Sequence, residues 1–338
     1  MKKEAALYNR LEGNAVQCYL CAHRCHIADG KRGICLVREN QGGTLYSLVY
    51  GRAVSQAIDP VEKKPLFHFH PGSLTYSVAT VGCNFRCDFC QNWEISQAPR
   101  EGREFRERET SPEMIVAGAR HYNCRSIAYT YTEPTVFFEY TYDTSVLARA
   151  AGIANIYVTN GYMTTEMLEA YKPYLDAANV DLKAFRDETY RRVCKAKLQP
   201  VLDALKYMKQ QGVWVEVTTL LVPDMNDSEA ELRELAEFLV KELGPETPWH
   251  VSRFHPDYKM LDRSATPLST LHRARDIGRE AGLRYVYEGN VPWAEGENTY
   301  CYQCGRLLIR RYGFSVTENV IQDGHCPYCG TMIDGVGL

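Results

Sequence analysis

The sequence predicts an α/β fold, a partial (β/α)6 barrel with a small cysteine-rich metal-binding module at each end. Between residues 74 and 287, short β-branched or aromatic runs alternate with longer amphipathic runs, as in a parallel sheet covered by helices. Residues 1–73 and 288–338 lack this alternation and carry their own cysteines. We therefore expect an N-terminal four-cysteine metal-binding module with a linker hairpin (1–73), a barrel (74–287) and a zinc-ribbon-like module (288–338).

The predicted strands are short apolar runs that end in polar residues. We place them at 74–81, 126–131, 154–159, 177–182, 213–221 and 250–254, with a further candidate at 284–287. Three helix starts support this count. Ser111 precedes a proline at the first helical position, Thr164 precedes an acidic first turn, and Ser228 opens a long amphipathic stretch.

Composition and charge narrow the class of protein. The 338 residues carry a net charge of -3, which gives no general attraction to nucleic acid or anionic lipid. No run is apolar enough for a membrane helix, and the N-terminus lacks the apolar stretch of a signal peptide. We expect a cytoplasmic protein without a membrane partner.

Thirteen cysteines require an explanation other than disulfides, because the cytoplasm keeps thiols reduced. Cys124 and Cys194 stand alone, whereas the other eleven fall into three clusters at the spacing of metal ligands. The clusters are Cys18, Cys21, Cys25 and Cys35, then Cys83, Cys87 and Cys90, and finally Cys301, Cys304, Cys326 and Cys329.

The central cluster follows the first predicted strand, at the strand end where such folds place their chemistry. A [4Fe-4S] cubane normally takes four thiolates, so three leave one iron without a protein ligand. Two alternatives remain open. The three thiols could hold zinc with a histidine, or a cluster completed by a fourth protein ligand could serve only electron transfer or binding.

The two terminal clusters each supply four thiolates. Two Cys-x2-Cys-Gly knuckles at the C-terminus indicate a closed tetrahedral zinc site, with a rubredoxin-like iron or a complete cluster as alternatives. Zinc ribbons can bind nucleic acid, but Arg306, Arg310 and Arg311 form no long basic run, so that function is a minor alternative. At the N-terminus the spacing does not decide between zinc and a second iron-sulfur cluster, and zinc is the interpretation we favour.

The motif Cys-x3-Cys-x2-Cys, with the aromatic Phe89 before its last cysteine, resembles the signature of the radical S-adenosylmethionine (SAM) superfamily. The resemblance implies that Cys83, Cys87 and Cys90 are the catalytic cluster ligands, and that SAM chelates the open iron. One electron, from a donor such as flavodoxin or ferredoxin, then cleaves SAM to a 5'-deoxyadenosyl radical. That radical would abstract hydrogen from an unidentified protein or small molecule.

The resemblance also implies SAM contacts after the strand ends. Tyr131-Thr132-Glu133-Pro134 is similar to the Gly-Gly-Glu-Pro segment whose carboxylate holds the SAM amino group, with two other residues in place of the glycines. The expected cofactor-binding residues are Phe89, Glu133, Asn160, Lys183 and His255. Taken singly, each polar group has a structural alternative: a helix-start carboxylate for Glu133, an Asp181–Lys183 ion pair, and a core histidine for His255.

At whole-chain level, the order of modules resembles the radical SAM member of the AmmeMemoRadiSam system, a branch similar to pyruvate formate-lyase activating enzymes. The sequence segments on which this resemblance rests are 18–25, 60–66 and 129–134. It implies an oxidoreductase-type enzyme of unknown substrate. A glycyl-radical-enzyme activase acting on a partner protein is the alternative enzyme.

Overall fold

An eight-stranded sheet organises the chain in the computed structural model, which describes residues 2–103, 108–291 and 295–338. The strands are β1 (Ser55–Pro60), β2 (Leu74–Ala79), β3 (Ser126–Tyr129), β4 (Ala154–Thr159), β5 (Ala177–Asp181), β6 (Trp214–Leu221), β7 (Trp249–Arg253) and β8 (Val286–Gly289). Their order in the sheet follows the chain, and β2 to β8 are parallel. This confirms the predicted α/β class, including the seventh candidate strand.

The strand β1 was not predicted, and it pairs antiparallel with β2 at one edge of the sheet. Its sequence, Ser-Gln-Ala-Ile-Asp-Pro, has neither a continuous apolar run nor clean alternation. An edge strand needs to bury only part of its surface, so its sequence gives a weak signal.

Six main helices connect the parallel strands. They are α1 (Pro112–His121), α2 (Phe138–Ala150), α3 (Thr165–Tyr171), α4 (Gln199–Gln210), α5 (Glu229–Phe238) and α6 (Leu268–Ala281). The hydroxyls of Ser111, Thr164 and Ser228 accept hydrogen bonds from the first turns of α1, α3 and α5. The three predicted helix starts are thus confirmed, with the capping contact that makes these residues favourable there.

Short elements complete the described chain. Short strands lie at Lys3–Glu4, Tyr8–Arg10, Val16–Cys18, His26–Ile27, Arg38–Gln41, Thr44–Ser47, Arg52–Ala53, Arg108–Glu109, Thr299–Tyr300, Leu307–Tyr312 and Ser315–Asn319. Short helices lie at Glu12–Asn14, Val61–Lys63, Trp93–Ser96, Ala98–Glu101, Pro134–Phe137, Asp187–Thr189, Tyr190–Cys194, Leu239–Leu243 and Glu295–Glu297. None of the helices in the described ranges is long and apolar enough to cross a bilayer.

A buried polar cluster joins the barrel to the C-terminal segment. The Glu216 carboxylate accepts hydrogen bonds from the backbone N–H of Phe67 and His68, at 3.0 and 2.8 Å, and contacts His250 Nε2 at 2.7 Å. Arg311 donates to the carbonyl oxygens of Phe67 and Glu297. These contacts fill the interior of the sheet near the amino ends of its strands, so the opposite edge is left for a ligand site.

Candidate active site

A cavity of about 290 Å³ opens at the carboxyl ends of the parallel strands, where ligands bind in such folds. Its polar and sulfur-bearing lining residues are Lys63, Lys64, Cys83, Cys87, Cys90, Gln91, Asn92, Ser96, Thr130, Tyr131, Thr132, Glu133, Thr159, Asn160, Asp181, Lys183, Thr218, Ser252 and Asn290. A hollow of about 330 Å³ at the amino ends of the strands, against Asp176 and Lys209, has no cysteine among its described lining residues. The cysteine-lined cavity is therefore the candidate active site.

The cysteine loop begins at Gly82, three residues after the end of β2. Gly82 has φ +99°, and a Cβ atom there would lie 2.6 Å from Cγ1 of Val37. Only glycine fits this close approach without displacing its neighbour. Gly82 thereby turns the chain so that Cys83 follows it into the cavity.

The three loop thiols line one cavity, but their sulfur atoms are not close enough together to bind a single metal ion. All three line the cavity, yet among the described residues only the four C-terminal cysteines have sulfur atoms that all lie within 4.8 Å of one another. A single zinc ion needs close sulfur atoms, because its bonds to sulfur are about 2.3 Å. Thiolates on a cubane bond different irons and stand farther apart. The arrangement fits a cluster better than one zinc ion.

Hydrogen-bond donors already face these sulfur atoms. The backbone N–H of Phe85 lies 3.3 Å from Cys83 Sγ, and the Ser96 hydroxyl lies 3.3 Å from Cys90 Sγ. Cys87 contacts the Cys194 thiol, which does not line the cavity. Donors at cluster sulfurs are one of the means by which a protein sets a cluster's potential.

Glu133 lies at the cavity wall with almost every acceptor position of its carboxylate occupied. Oε1 accepts from Thr135 N, Thr135 Oγ1 and Thr159 Oγ1 at 3.0, 2.6 and 2.8 Å, and Oε2 accepts from Asn160 N at 2.8 Å. Burial raises the pKa of Glu133, and these hydrogen bonds oppose that rise. The contact with Thr135 caps the short helix Pro134–Phe137, so the predicted helix-start alternative is present. Oε2 retains acceptor capacity for a cation in the cavity.

Asn160 joins the loop after β4 to the cysteine loop. Its Nδ2 donates to Asn84 Oδ1 at 2.8 Å and lies 3.8 Å from Cys83 Sγ, while its Oδ1 accepts from Tyr162 N at 3.0 Å. The side chain thus orients the cysteine loop as well as lining the cavity.

Lys183 and Phe89 meet on another wall of the cavity. Lys183 Nζ donates to Asp181 Oδ2 at 2.6 Å and lies 5.9 Å from the centre of the Phe89 ring. Burial disfavours the ammonium, but the Asp181 carboxylate outweighs it and the pKa of Lys183 is raised. The lysine is therefore a fixed cation, and the predicted ion pair is also present.

His255 stands apart from the other predicted contacts. It is exposed in the loop after β7 and is not among the described residues that line the cavity. Its contact with the SAM ribose stays a prediction.

Two parts of the wall were missed by sequence reasoning. Asp59 accepts hydrogen bonds from Lys64 Nζ at 2.6 Å, Ser77 Oγ at 2.7 Å, Lys63 Nζ at 2.9 Å and the Tyr131 hydroxyl. Only its resemblance to a known family distinguishes the 60–66 segment in the sequence, and no spacing rule links it to residue 131. Phe314, from the C-terminal module, also lines the cavity.

The position of Tyr131 bears on one departure from the resembled segment. Tyr131 has φ +64°, a left-handed conformation that favours glycine. The backbone shape that glycine would supply is thus kept, and the tyrosine side chain is used to bind Asp59.

The C-terminal cysteines have the geometry of a single-ion site. Their four sulfur atoms all lie within 4.8 Å, with Cys301–Cys329 and Cys304–Cys326 Sγ distances of 3.7 Å. Bonds of about 2.3 Å in a tetrahedron place sulfur atoms about 3.8 Å apart. The donor set can hold one metal ion, and tetrahedral thiolate coordination is typical of zinc.

The N-terminal cysteines line a separate, enclosed hollow. Cys18, Cys21, Cys25 and Cys35 surround it together with Arg38. Cys124 lies elsewhere, buried after α1.

Known proteins resemble this chain over its barrel and over its full length. Residues 77–239 match the radical SAM superfamily. Protein MJ0808 of Methanocaldococcus jannaschii is 51% identical over 334 residues, which cover 98% of this chain and 99% of that protein. The pyruvate formate-lyase-activating enzyme of Clostridium pasteurianum is 26% identical over 211 residues, covering 58% of this chain and 85% of the enzyme.

A solved structure supports the fold independently. The crystal structure of a radical SAM methyltransferase from Sphaerobacter thermophilus superposes with a TM-score of 0.51 at 19% identity, covering 71% of each chain. At this identity the likeness concerns the fold alone.

Proposed function

Since the chain belongs to the radical SAM superfamily, we propose that Cys83, Cys87 and Cys90 hold a [4Fe-4S] cluster for the reductive cleavage of SAM. When bound, the cluster and SAM supply a 5'-deoxyadenosyl radical that abstracts hydrogen from a substrate. The observation that carries the proposal is the spread of the three thiols around a cavity rather than around one point. Three protein ligands would leave one iron of such a cluster without a protein ligand, available to SAM.

The side chains of the wall then bind and orient SAM. Glu133 Oε2 accepts a hydrogen bond from the SAM ammonium, and the partners of Oε1 keep the carboxylate in place. Lys183 attracts the SAM carboxylate, while the Asp181 carboxylate holds the Lys183 ammonium in position. Asn160 contacts SAM and keeps the cysteine loop in register, and Phe89 supplies apolar contact. We place His255 near the ribose.

The proposed chemistry also requires an electron donor and a place for the substrate. The cluster requires one electron from a donor such as flavodoxin or ferredoxin, and a reducing cytoplasm suits both donor and thiols. The cavity wall beyond the proposed SAM contacts is lined by Lys63, Lys64 and Phe314, and Asp59 holds the two lysines in place. We assign this wall to the unidentified substrate. Across the whole chain, the order of modules supports membership of the AmmeMemoRadiSam branch.

A direct experiment tests the cleavage. Protein reconstituted anaerobically with iron and sulfide is given dithionite and SAM, and 5'-deoxyadenosine is measured. We expect formation with the wild type and loss of product with C83A/C87A/C90A. The matched control is C124A, because Cys124 is buried away from the cavity. Absence of product from a fully loaded wild-type cluster would refute the proposal.

A second candidate function is glycyl-radical activation of a partner protein. The similarity to the activating enzyme of Clostridium pasteurianum over 85% of that enzyme favours it. Incubation with a candidate glycyl-radical enzyme, SAM and reductant should then give a glycyl radical signal in electron paramagnetic resonance. Deoxyadenosine formation without that signal would leave the broader proposal intact and remove this one for the partner tested.

A further inference from the structure

The N-terminal cysteines differ in geometry from the C-terminal ones, although each set has four. Cys18, Cys21, Cys25 and Cys35 line one small hollow of about 10 Å³. Among the described residues, their sulfur atoms are not a group lying within 4.8 Å of one another, whereas the C-terminal four are. One zinc ion would require the closer arrangement. Four separated thiolates around a common space instead suit the four corners of an iron-sulfur cubane.

Arg38 gives an independent indication of a ligand in this hollow. It lines the hollow with the cysteines, and only 2% of its surface is exposed. Its Nη atoms are paired with Glu139 and the Ala6 carbonyl, but Nε has no hydrogen-bond partner among the described residues. A buried N–H without a partner is costly. A cluster sulfur or cysteine thiolate held in the hollow would give it an acceptor and would place an anion beside the guanidinium.

The N-terminal cysteine module packs against the loop that carries the cysteines of the candidate active site. His23, between Cys21 and Cys25, contacts the Asn84 carbonyl oxygen through Nε2 at 2.9 Å. The Cys35 carbonyl oxygen would lie 3.3 Å from a Cβ atom on Gly82. Since Gly82 and Asn84 flank Cys83, the backbone of the N-terminal cysteine module packs directly on the catalytic cysteine loop.

We infer that Cys18, Cys21, Cys25 and Cys35 hold a second [4Fe-4S] cluster, with Arg38 against it, beside the central cluster. This replaces zinc, which the sequence alone favoured at this module. The position also suits one-electron exchange. A reduced protein donor of the flavodoxin or ferredoxin class would reduce the second cluster by one electron, and its reoxidation would reduce the central cluster by one. The second cluster stands independently of the proposed function, whereas its use as a relay rests on it.

Metal content of the full-length protein, purified anaerobically, tests the inference. We expect about eight irons, eight sulfides and one zinc per chain, because two cubanes and one tetrahedral site would be filled. C83A/C87A/C90A retains all four N-terminal cysteines and should keep about four irons, with the Mössbauer spectrum of a [4Fe-4S] cluster. C21S/C35S should lose about four irons and keep the response of the central cluster to SAM. C124A is the matched control for all three contents.

The outcomes separate this inference from the proposed function. If C83A/C87A/C90A contains no iron and the wild type contains about two zincs, the second cluster is refuted while the central cluster stands. If the triple variant keeps all the iron of the wild type, the central cluster is refuted and the second one stands.

Two spectroscopic measurements test the placement. In the reduced wild type, the magnetic interaction between two paramagnetic clusters should broaden their electron paramagnetic resonance signals. Each variant that lacks one cluster should show an unbroadened signal. Two independent signals in the wild type would overturn the adjacency. In the triple-variant background, R38M/E139Q removes the guanidinium and the buried partner charge together. It should lower the midpoint potential of the second cluster, whereas R10M, at an exposed arginine, should not. An unchanged potential in R38M/E139Q would overturn the contact between Arg38 and the cluster.

Discussion

The carboxylate of Glu133 accepts a hydrogen bond from the backbone N–H of Asn160, with Oε2 2.8 Å from the nitrogen. This contact ties the loop after β3 to the loop after β4, and Asn160 in turn holds Asn84 beside Cys83. One carboxylate therefore supports both the proposed SAM contact and the shape of the cysteine loop.

The substitution Glu133→Gln should weaken SAM binding about tenfold, because a charge-assisted hydrogen bond to the SAM ammonium becomes a neutral one. Affinity is measured by titrating SAM into the reduced cluster and following its electron paramagnetic resonance spectrum. Iron content should stay at the wild-type value. The control is Glu229→Gln at an exposed position, and equal SAM affinity in both variants would contradict the assigned role.

Cys194 permits a test of whether the central cluster has a fourth protein ligand, since it contacts Cys87. We expect Cys194→Ala to retain the wild-type iron content and the spectral change on adding SAM, because the thiol does not line the cavity. Loss of iron to the extent seen with Cys87→Ala would instead favour the alternative in which Cys194 completes the cluster and the protein serves only electron transfer or binding. Iron assay and SAM titration of the same sample make the comparison.

Asp59 should be important for stability, because it offsets the buried charge of Lys64. Lys64 is 1% exposed, and burial lowers its pKa to about 8 despite the Asp59 partner. Asp59→Asn should reduce the free energy of unfolding by about 3 kcal/mol, since it leaves a buried cation without its partner.

Anaerobic urea unfolding measures this effect. The double variant Asp59→Asn/Lys64→Met should recover part of the loss, and Asp203→Asn at the surface should change stability little. Additive effects of the two single substitutions would speak against a buried pair.

Glu297 should make stability depend on pH near neutrality. Burial raises its pKa to about 7, although Arg311 opposes the rise, whereas an unfolded glutamate titrates near about 4.3. Between these values the folded chain keeps a proton that the unfolded chain has lost. The stabilisation that Glu297 contributes is therefore complete below its unfolded pKa and is lost as pH rises through about 7.

Glu297→Gln should consequently gain about 1–3 kcal/mol of stability relative to wild type between about pH 5 and about pH 8. Urea unfolding curves at several pH values measure the difference. Glu295→Gln, at an exposed neighbour, is the control. A constant difference between Glu297→Gln and wild type across this range would contradict the assignment.

Removal of metal from the C-terminal module should release about one zinc per chain and expose residues 299–338 to proteolysis, because four thiolates around one ion replace a large core there. A strong chelator with a zinc indicator measures the release, and C301A/C326A should contain no zinc while keeping its iron. Iron rather than zinc in the wild-type site would identify the rubredoxin-like alternative.

Within residues 74–287, local sequence determined the positions of strands and of several helix starts. Strand positions followed from apolar runs, and helix starts at Ser111, Thr164 and Ser228 followed from capping chemistry. Both signals act between residues close in the chain, so they are visible without a structure. The cysteine spacing and the polar groups after strand ends likewise indicated the region of the site.

What the sequence could not determine depended on contacts between distant residues. The polar edge strand β1 has a weak local signal, and Asp59 meets Tyr131 only because β1 pairs with β2 and β2 with β3. Four cysteines at the N-terminus and four at the C-terminus look alike as spacing, since zinc and iron-sulfur clusters accept the same thiolates. Their separation in space, and a buried Arg38 Nε beside one set, are set by packing across the whole fold.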